Sequence, residues 1–171
     1  MSDTFYGEPK PYAIDPYAEP EYFEGVLWRR TLAFLIDAVI VIVPIIAASI
    51  AIFVFGFLTL GLGWYLFGLL SPAYVIWALA YTGLTLGGSQ SATIGMRAMG
   101  LEMRLWHGAP MYPLLAVLSI VLFWVSVSVL TPLVVVVGLF NARKRLLHDL
   151  VLGTVVTNTE ERVAAIRGYR P

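Results

Sequence analysis

The chain contains no cysteine. Disulfides, thiolate metal sites and cysteine nucleophiles are therefore excluded. It has only two histidines, which makes a zinc site a poor expectation. Charge is also scarce: Asp, Glu, Lys and Arg make up 13% of the residues, against about 25% in soluble domains. No basic face or stripe stands out, so nucleic acid is not an expected partner. No catalytic constellation is convincing either. His148 and Asp149 are sequence neighbours, and adjacency in sequence is not the geometry of a catalytic triad. The expectation is a chain with no enzymatic activity, no metal and no cofactor.

What the chain has in excess is apolar residues, 59% of the total against about 45–50% in soluble domains. The expected core is a membrane core, and 171 residues make one domain the default. Formal net charge is zero, but the charges are unevenly placed. Residues 1–24 hold six acids (Asp3, Glu8, Asp15, Glu19, Glu21, Glu24) and one base, Lys10, while the other ten bases begin at Arg29. The same segment carries Pro9, Pro11, Pro16 and Pro20 among tyrosines 6, 12, 17 and 22, the composition of an extended, disordered tail. It lacks the basic start of a secretory signal, so the first apolar run reads as a retained transmembrane helix.

That run, Thr31–Phe55, is long enough to cross a hydrocarbon core of about 30 Å, with Pro44 as a candidate kink. Residues 56–63 read as a short glycine-rich turn, and Trp64–Leu86 as a second span. Trp64, Tyr65 and Tyr81 fit interfacial aromatic belts. The polar stretch Gly87–Pro110 includes a strand-like piece, Met99–Leu105. A third apolar segment, Met111–Phe140, follows. A short basic helix is then ended by Gly153, and a β-branched strand covers Thr154–Asn158. The fold class expected is an all-α membrane protein: a small transmembrane helix bundle of three apolar segments with a minor two-strand cytoplasmic element. Its parts are a disordered acidic Pro/Tyr-rich tail (1–24), a membrane domain (25–158) and a C-terminal tail (159–171).

The bases set the topology. Three (Lys10, Arg29, Arg30) precede the first span, two (Arg97, Arg104) lie between the second and third, and six follow the third. The positive-inside rule places the amino terminus and residues 87–110 in the cytoplasm. The third segment is too short for two full crossings, which need about twenty residues each. A re-entrant hairpin broken around Ser126–Pro132 keeps all six C-terminal bases inside, and a single plain crossing puts them outside. The first is favoured. It also lets the two strand-like pieces share a side and pair.

Three stretches carry a family resemblance. "GVLWRRTLAFLIDAVIV" resembles the opening signature of the RDD family of small membrane proteins, with Arg30 at the start of the first helix and Asp37 seven residues on. "SATIGMRAMGLEMR", with Thr93 and Gly95, is similar to that family's central segment. "RLLHDLVLGTVV" resembles its closing segment and supplies His148, Asp149, Gly153 and Thr154. The chain departs from the family pattern at Met96–Arg97, where a Lys often follows the glycine. It also lacks an arginine early in the third segment. The resemblance covers about residues 25–157 and implies a bacterial or archaeal cytoplasmic (inner) membrane protein, multi-pass, with its amino terminus in the cytoplasm. It further implies a transport role such as proton-linked monovalent cation exchange.

Asp37 is the residue that raises a question, because an acid inside a membrane helix nearly always faces protein or water. Arg30 and Asp37 share a helix face but lie about 10.5 Å apart along the axis, and side chains lean toward the helix amino terminus. They are not expected to pair with each other. Asp37 needs a different partner, and it is the candidate carrier of a proton or cation. Arg30 and Asp149 are expected to stitch the first helix to the last segment as an inner-side gate or support. Secondary candidates are Thr93, Gly95, His148 as a proton relay, Gly153 and Thr154. The expected partners are the lipid bilayer, monovalent cations and protons, and a second copy or another membrane protein. The alternative is a structural or accessory membrane protein, in which the same Arg/Asp/Asp set only holds the fold or binds a partner. Outside the resemblance, Asp149 also reads as a solvated acid pairing with Arg145 at i,i+4, and Thr93-x-Gly95 as a capped loop, since the P-loop pattern is not met.

Overall fold

The computed structural model describes residues 14–130 and 142–169. Its first long element, α1 (Val26–Leu58), is a continuous helix of 33 residues, about 50 Å long. Pro44 lies inside it, and the helix continues on both sides. The region expected to be a glycine-rich turn does turn the chain, at residues 59–61, where Leu60 and Gly61 take positive φ. The helix α1 runs into it, and a 3-10 stretch, Leu62–Leu69, leads out of it into α2 (Leu70–Leu86). A Cβ at Gly56 would collide with the Trp64 ring, so the glycine's role is to admit that indole. The Trp64 Nε1–H in turn donates to the Phe53 carbonyl at 3.2 Å.

The apolar side chains of α1 are not inside the protein. None of its most apolar 18-residue stretch is buried, and only 11% of the corresponding stretch leading into α2 is. Phe34, Val39, Val43, Ile46 and Ile50 all project outward. The core helix of a soluble protein would bury such residues, whereas a membrane helix presents them to lipid. By length, composition and exposure these two are membrane-spanning helices. The third apolar segment begins as α4 (Pro113–Leu130), a shorter helix. It lies against α2, where Tyr74 stacks on Trp124 with ring centroids 6.2 Å apart. It also meets α1, where Phe34 and Phe123 are 5.7 Å apart. The expected bend at Ser126–Pro132 does not begin before Leu130, since α4 is unbroken to that point. The rest of that hairpin lies outside the described residues.

Almost all the buried structure sits at the other end, around the start of α1. The helix α3 (Ile94–Ala98) packs on α1 and leads through a turn into β1 (Leu101–Leu105). After α4 come α5 (Leu147–Leu152), β2 (Thr154–Asn158) and α6 (Glu160–Tyr169). The two strands pair antiparallel, from Leu101 opposite Asn158 to Leu105 opposite Thr154. The strand starts later than the expected Met99 because Met99 and Gly100 form the turn that ends α3, with Gly100 at φ +64. Val26 and Ala33 of α1 join Met96, Leu101, Met103 and Val156 in one buried cluster.

The two segments expected to be tails are packed where the structure describes them. Asn158 Nδ2 donates to the carbonyls of Glu21 and Glu24, at 2.8 and 2.9 Å. Phe23 is buried, and Arg167 of α6 reaches Glu19 at 3.4 Å. Residues 14–24 and α6 thus close over the sheet. The composition of 1–24 gave no sign of this, because the contacts are made mainly by backbone carbonyls and one aromatic ring. The earlier part of that segment, 1–13, lies outside the described residues.

Candidate functional site

Asp37 lies about three turns inside α1, nine residues beyond the exposed Trp28 and so about 14 Å from it along the axis. Its carboxylate accepts three hydrogen bonds, each from a different kind of donor. The Tyr81 hydroxyl of α2 donates to Oδ1 at 2.6 Å. The Thr93 hydroxyl donates to Oδ2 at 2.6 Å. The Gly95 backbone N–H donates to Oδ1 at 2.7 Å. Thr93 is also the N-cap of α3 and accepts from the Met96 N–H at 3.1 Å. This is the usual role of a threonine at a helix start. The Ile94 N–H points to the Tyr81 hydroxyl oxygen at 3.3 Å. One carboxylate thus ties α1, α2 and the start of α3 together.

Gly95 is as necessary as the acid. A Cβ there would fall onto the Ala33 carbonyl oxygen and within 2.8 Å of the Asp37 carboxylate. Only glycine lets α3 approach α1 closely enough for its backbone to reach the acid. Among the described residues no cation lies within ion-pair distance of Asp37, and every donor to it is neutral.

Asp149 has the opposite surroundings. It is fully buried, and Arg30 grips it with both terminal nitrogens: Nη1 bonds Oδ2, and Nη2 bonds Oδ1 at 3.0 Å. A forked guanidinium–carboxylate pair is among the strongest polar contacts available. The Leu146 N–H adds a bond to Oδ2 at 2.9 Å, and the Thr154 hydroxyl reaches Oδ1 at 3.3 Å. Burial by itself pushes the Asp149 carboxyl up, but the Arg30 charge and its hydrogen bonds outweigh this and hold it below the usual carboxylate range. Gly153, at φ +66, ends α5 in the left-handed conformation and turns the chain into β2. That turn brings Thr154 back to Asp149.

Arg145 does not make the expected i,i+4 ion pair. Its Nη2 donates to the backbone carbonyl of Asp149 at 2.8 Å, and its Nε to the Thr154 carbonyl at 2.7 Å. The acid is already occupied by Arg30, which leaves Arg145 to cap the ends of α5 and β2. His148 is buried beside the pair, with its ring 5.4 Å from that of Phe123. Arg30 Nη2 lies 3.1 Å from its Nε2. A guanidinium can only donate, so Nε2 accepts and the proton sits on Nδ1. Burial lowers the His148 pKa to about 4, with the Asp149 charge opposing and Arg30 reinforcing the shift. The ring is therefore neutral at neutral pH.

The expected site residues thus fall into two clusters. Asp37, Thr93 and Gly95 form one, and Arg30, His148, Asp149, Gly153 and Thr154 form the other. Arg30 and Asp37 do not pair with each other, as their spacing requires. Tyr81 is the residue the sequence did not single out. It reads as an interfacial aromatic, and its hydroxyl becomes an Asp37 donor only once α1 and α2 pack antiparallel. Among the described residues no group of three or more His, Asp or Glu side chains is placed to hold a metal ion.

No curated protein and no solved structure matches the chain. The model of the RDD family matches residues 25–153, from the residue before α1 to Gly153. The chain belongs to the RDD family and is a membrane protein.

Proposed function

We propose that this is a transport-related membrane protein in which Asp37 exchanges a proton for a monovalent cation. The observation that carries the proposal is the lack of any cationic partner for Asp37 among the described residues. A carboxylate held about 14 Å along a membrane helix by neutral donors alone receives no counter-charge from the described residues. Charge in that position is stable only when paired or neutralised. A proton or a small cation supplies what the protein does not. When a cation arrives, the Asp37 carboxyl gives up its proton to water, and the Tyr81 and Thr93 hydroxyls turn their hydrogens away and offer oxygen lone pairs. Together with a carboxylate oxygen these make the hard ligand set that an alkali cation takes. When the proton returns, it binds the carboxylate and the cation leaves.

Two spanning helices and one shorter apolar helix enclose little on their own, so the transporting form is a homo-oligomer. The membrane is the bacterial or archaeal cytoplasmic membrane. The end carrying both clusters, with the start of α1, faces the cytoplasm. The positive-inside rule and the pairing of β1 with β2 support this orientation.

A second reading is favoured by the Gly95 N–H. A backbone donor cannot reverse, so part of the Asp37 acceptor capacity is permanently used to lock α3 onto α1. On that reading the protein is an accessory membrane protein and both acids are structural. Reconstituted vesicles separate the two. Under a sodium or potassium gradient, wild-type protein moves protons across the vesicle wall and Asp37→Asn does not. No wild-type proton movement under either gradient removes the transport reading. Movement that survives Asp37→Asn removes Asp37 as the carrier.

A further inference from the structure

We propose that Arg29 and Arg162 form a clamp for a phosphate group at the membrane edge, filled by the headgroup of an anionic phospholipid. The proposal rests on the membrane placement of α1 and is independent of transport. Arg29 lies in the first turn of α1 and Arg162 in the first turn of α6. They come from opposite ends of the chain and converge on Gly100. A Cβ at Gly100 would lie 3.6 Å from Arg29 Nη1, 3.5 Å from Arg162 Cβ and 3.7 Å from Arg162 Cγ. The turn between them is pinned on both sides. Arg29 Nη1 donates to the Met99 carbonyl at 2.8 Å, and the Thr159 N–H donates to the Gly100 carbonyl at 2.9 Å.

The pair converges on one turn and, among the described residues, also lacks a protein anion. Arg30 has Asp149, Arg104 has Glu102, and Arg167 has Glu19 and Glu21. Among the described residues neither Arg29 nor Arg162 has a carboxylate within ion-pair distance. Two cationic side chains that converge on one turn repel each other, and a shared anion relieves that repulsion. Their planar forks match phosphate oxygens two at a time.

The source of the phosphate is argued from position. Trp28, next to Arg29, is 67% exposed, and Tyr112 at the start of α4 is 49% exposed. Aromatic side chains at the ends of membrane helices sit at the headgroup level. The clamp therefore lies where lipid phosphates are concentrated, on the face that the bases mark as cytoplasmic, where anionic lipids attract basic residues.

Native mass spectrometry of the full chain, released from neutral detergent, tests this. The protein is exchanged into micelles doped with phosphatidylglycerol or with phosphatidylcholine, or given inorganic phosphate alone. Wild type is expected to retain phosphatidylglycerol over phosphatidylcholine. Arg29→Gln and Arg162→Gln are each expected to weaken that retention about fivefold, the factor one basic residue is worth near an anionic surface. Arg167→Gln is expected to leave it unchanged. Arg162 is exposed, and Gln keeps its Cβ and Cγ, so its variant stands if Arg29→Gln does not fold. Equal retention of the two lipids by wild type overturns the clamp. So does a phosphatidylglycerol preference that survives both substitutions. Retention of inorganic phosphate equal to that of the lipid, lost in both variants, overturns the lipid assignment in favour of free phosphate.

Discussion

Asp37 and Asp149 are both carboxylates packed at the same end of the bundle, and the protein treats them in opposite ways. Asp149 is closed off: a forked arginine, a backbone N–H and a hydroxyl take up its oxygens in a fully buried place. Asp37 receives as many donors, yet none is charged. One acid is neutralised by the fold, and the other is oriented by it. The pair containing Asp149 has no chemistry left to do. Its value is to hold the segment around α5 and β2 onto the start of α1. Asp37 still needs a counter-charge, and that need is where a function can be built.

The largest effect is expected at the neutralised acid. Asp149→Ala or Arg30→Ala leaves a buried charge without its partner, which costs about 3–5 kcal/mol. Thermal unfolding in detergent should show either variant as severely destabilised, with little folded protein at ordinary temperature. Replacing both residues together by apolar ones of similar size (Arg30→Met with Asp149→Leu) should recover much of that loss. No recovery would mean that the pair does more than balance charge.

Acid should weaken the same region. The folded protein holds His148 neutral down to about pH 4, whereas an unfolded histidine titrates near 6.5. Between those values the unfolded chain binds the extra proton, so stability falls as pH drops through that window. The full loss is about 3 kcal/mol once pH is below the folded value. Asp149, held below the usual carboxylate range by Arg30, adds a further loss as pH falls below that range. His148→Gln should flatten the slope between pH 6.5 and 4 and leave the more acidic loss in place. Unfolding curves recorded across that range decide it.

At the oriented acid the expected effects on stability are smaller. Gly95→Ala forces α3 away from α1 because its Cβ would meet the Ala33 carbonyl and the Asp37 carboxylate. Overpacking of this kind costs about 1–3 kcal/mol. Tyr81→Phe removes one neutral donor and should cost about 1 kcal/mol, and Thr93→Val, which also removes the cap of α3, about 2 kcal/mol. If instead they destabilise as much as Asp149→Ala, the contrast between the two acids fails.

Much of this was legible in the residues. The spans followed from apolar runs, the strand Thr154–Asn158 from its β-branched residues, and the end of α5 from Gly153. The separation of Arg30 from Asp37 followed from helix geometry alone. What stayed hidden depends on packing. Tyr81 looks the same in sequence whether it faces lipid or an acid. Arg145 has the spacing of an ion pair with Asp149, but it loses the carboxylate to an arginine 119 residues away along the chain. Residues 14–24 look like a tail because the partners they find, above all Asn158, lie far off in sequence. Local pattern reports on local structure, and these three outcomes were set by contacts between distant segments.

The central claim is that Asp37 lacks a counter-charge and takes one from solution. The most direct test is proton release on addition of a monovalent cation to purified protein in detergent, in weakly buffered solution at fixed temperature. Wild type should release about one proton per chain as the cation binds, and Asp37→Asn should release none while remaining folded. Release that persists in Asp37→Asn, or folded wild type that releases none with either sodium or potassium, would contradict the account.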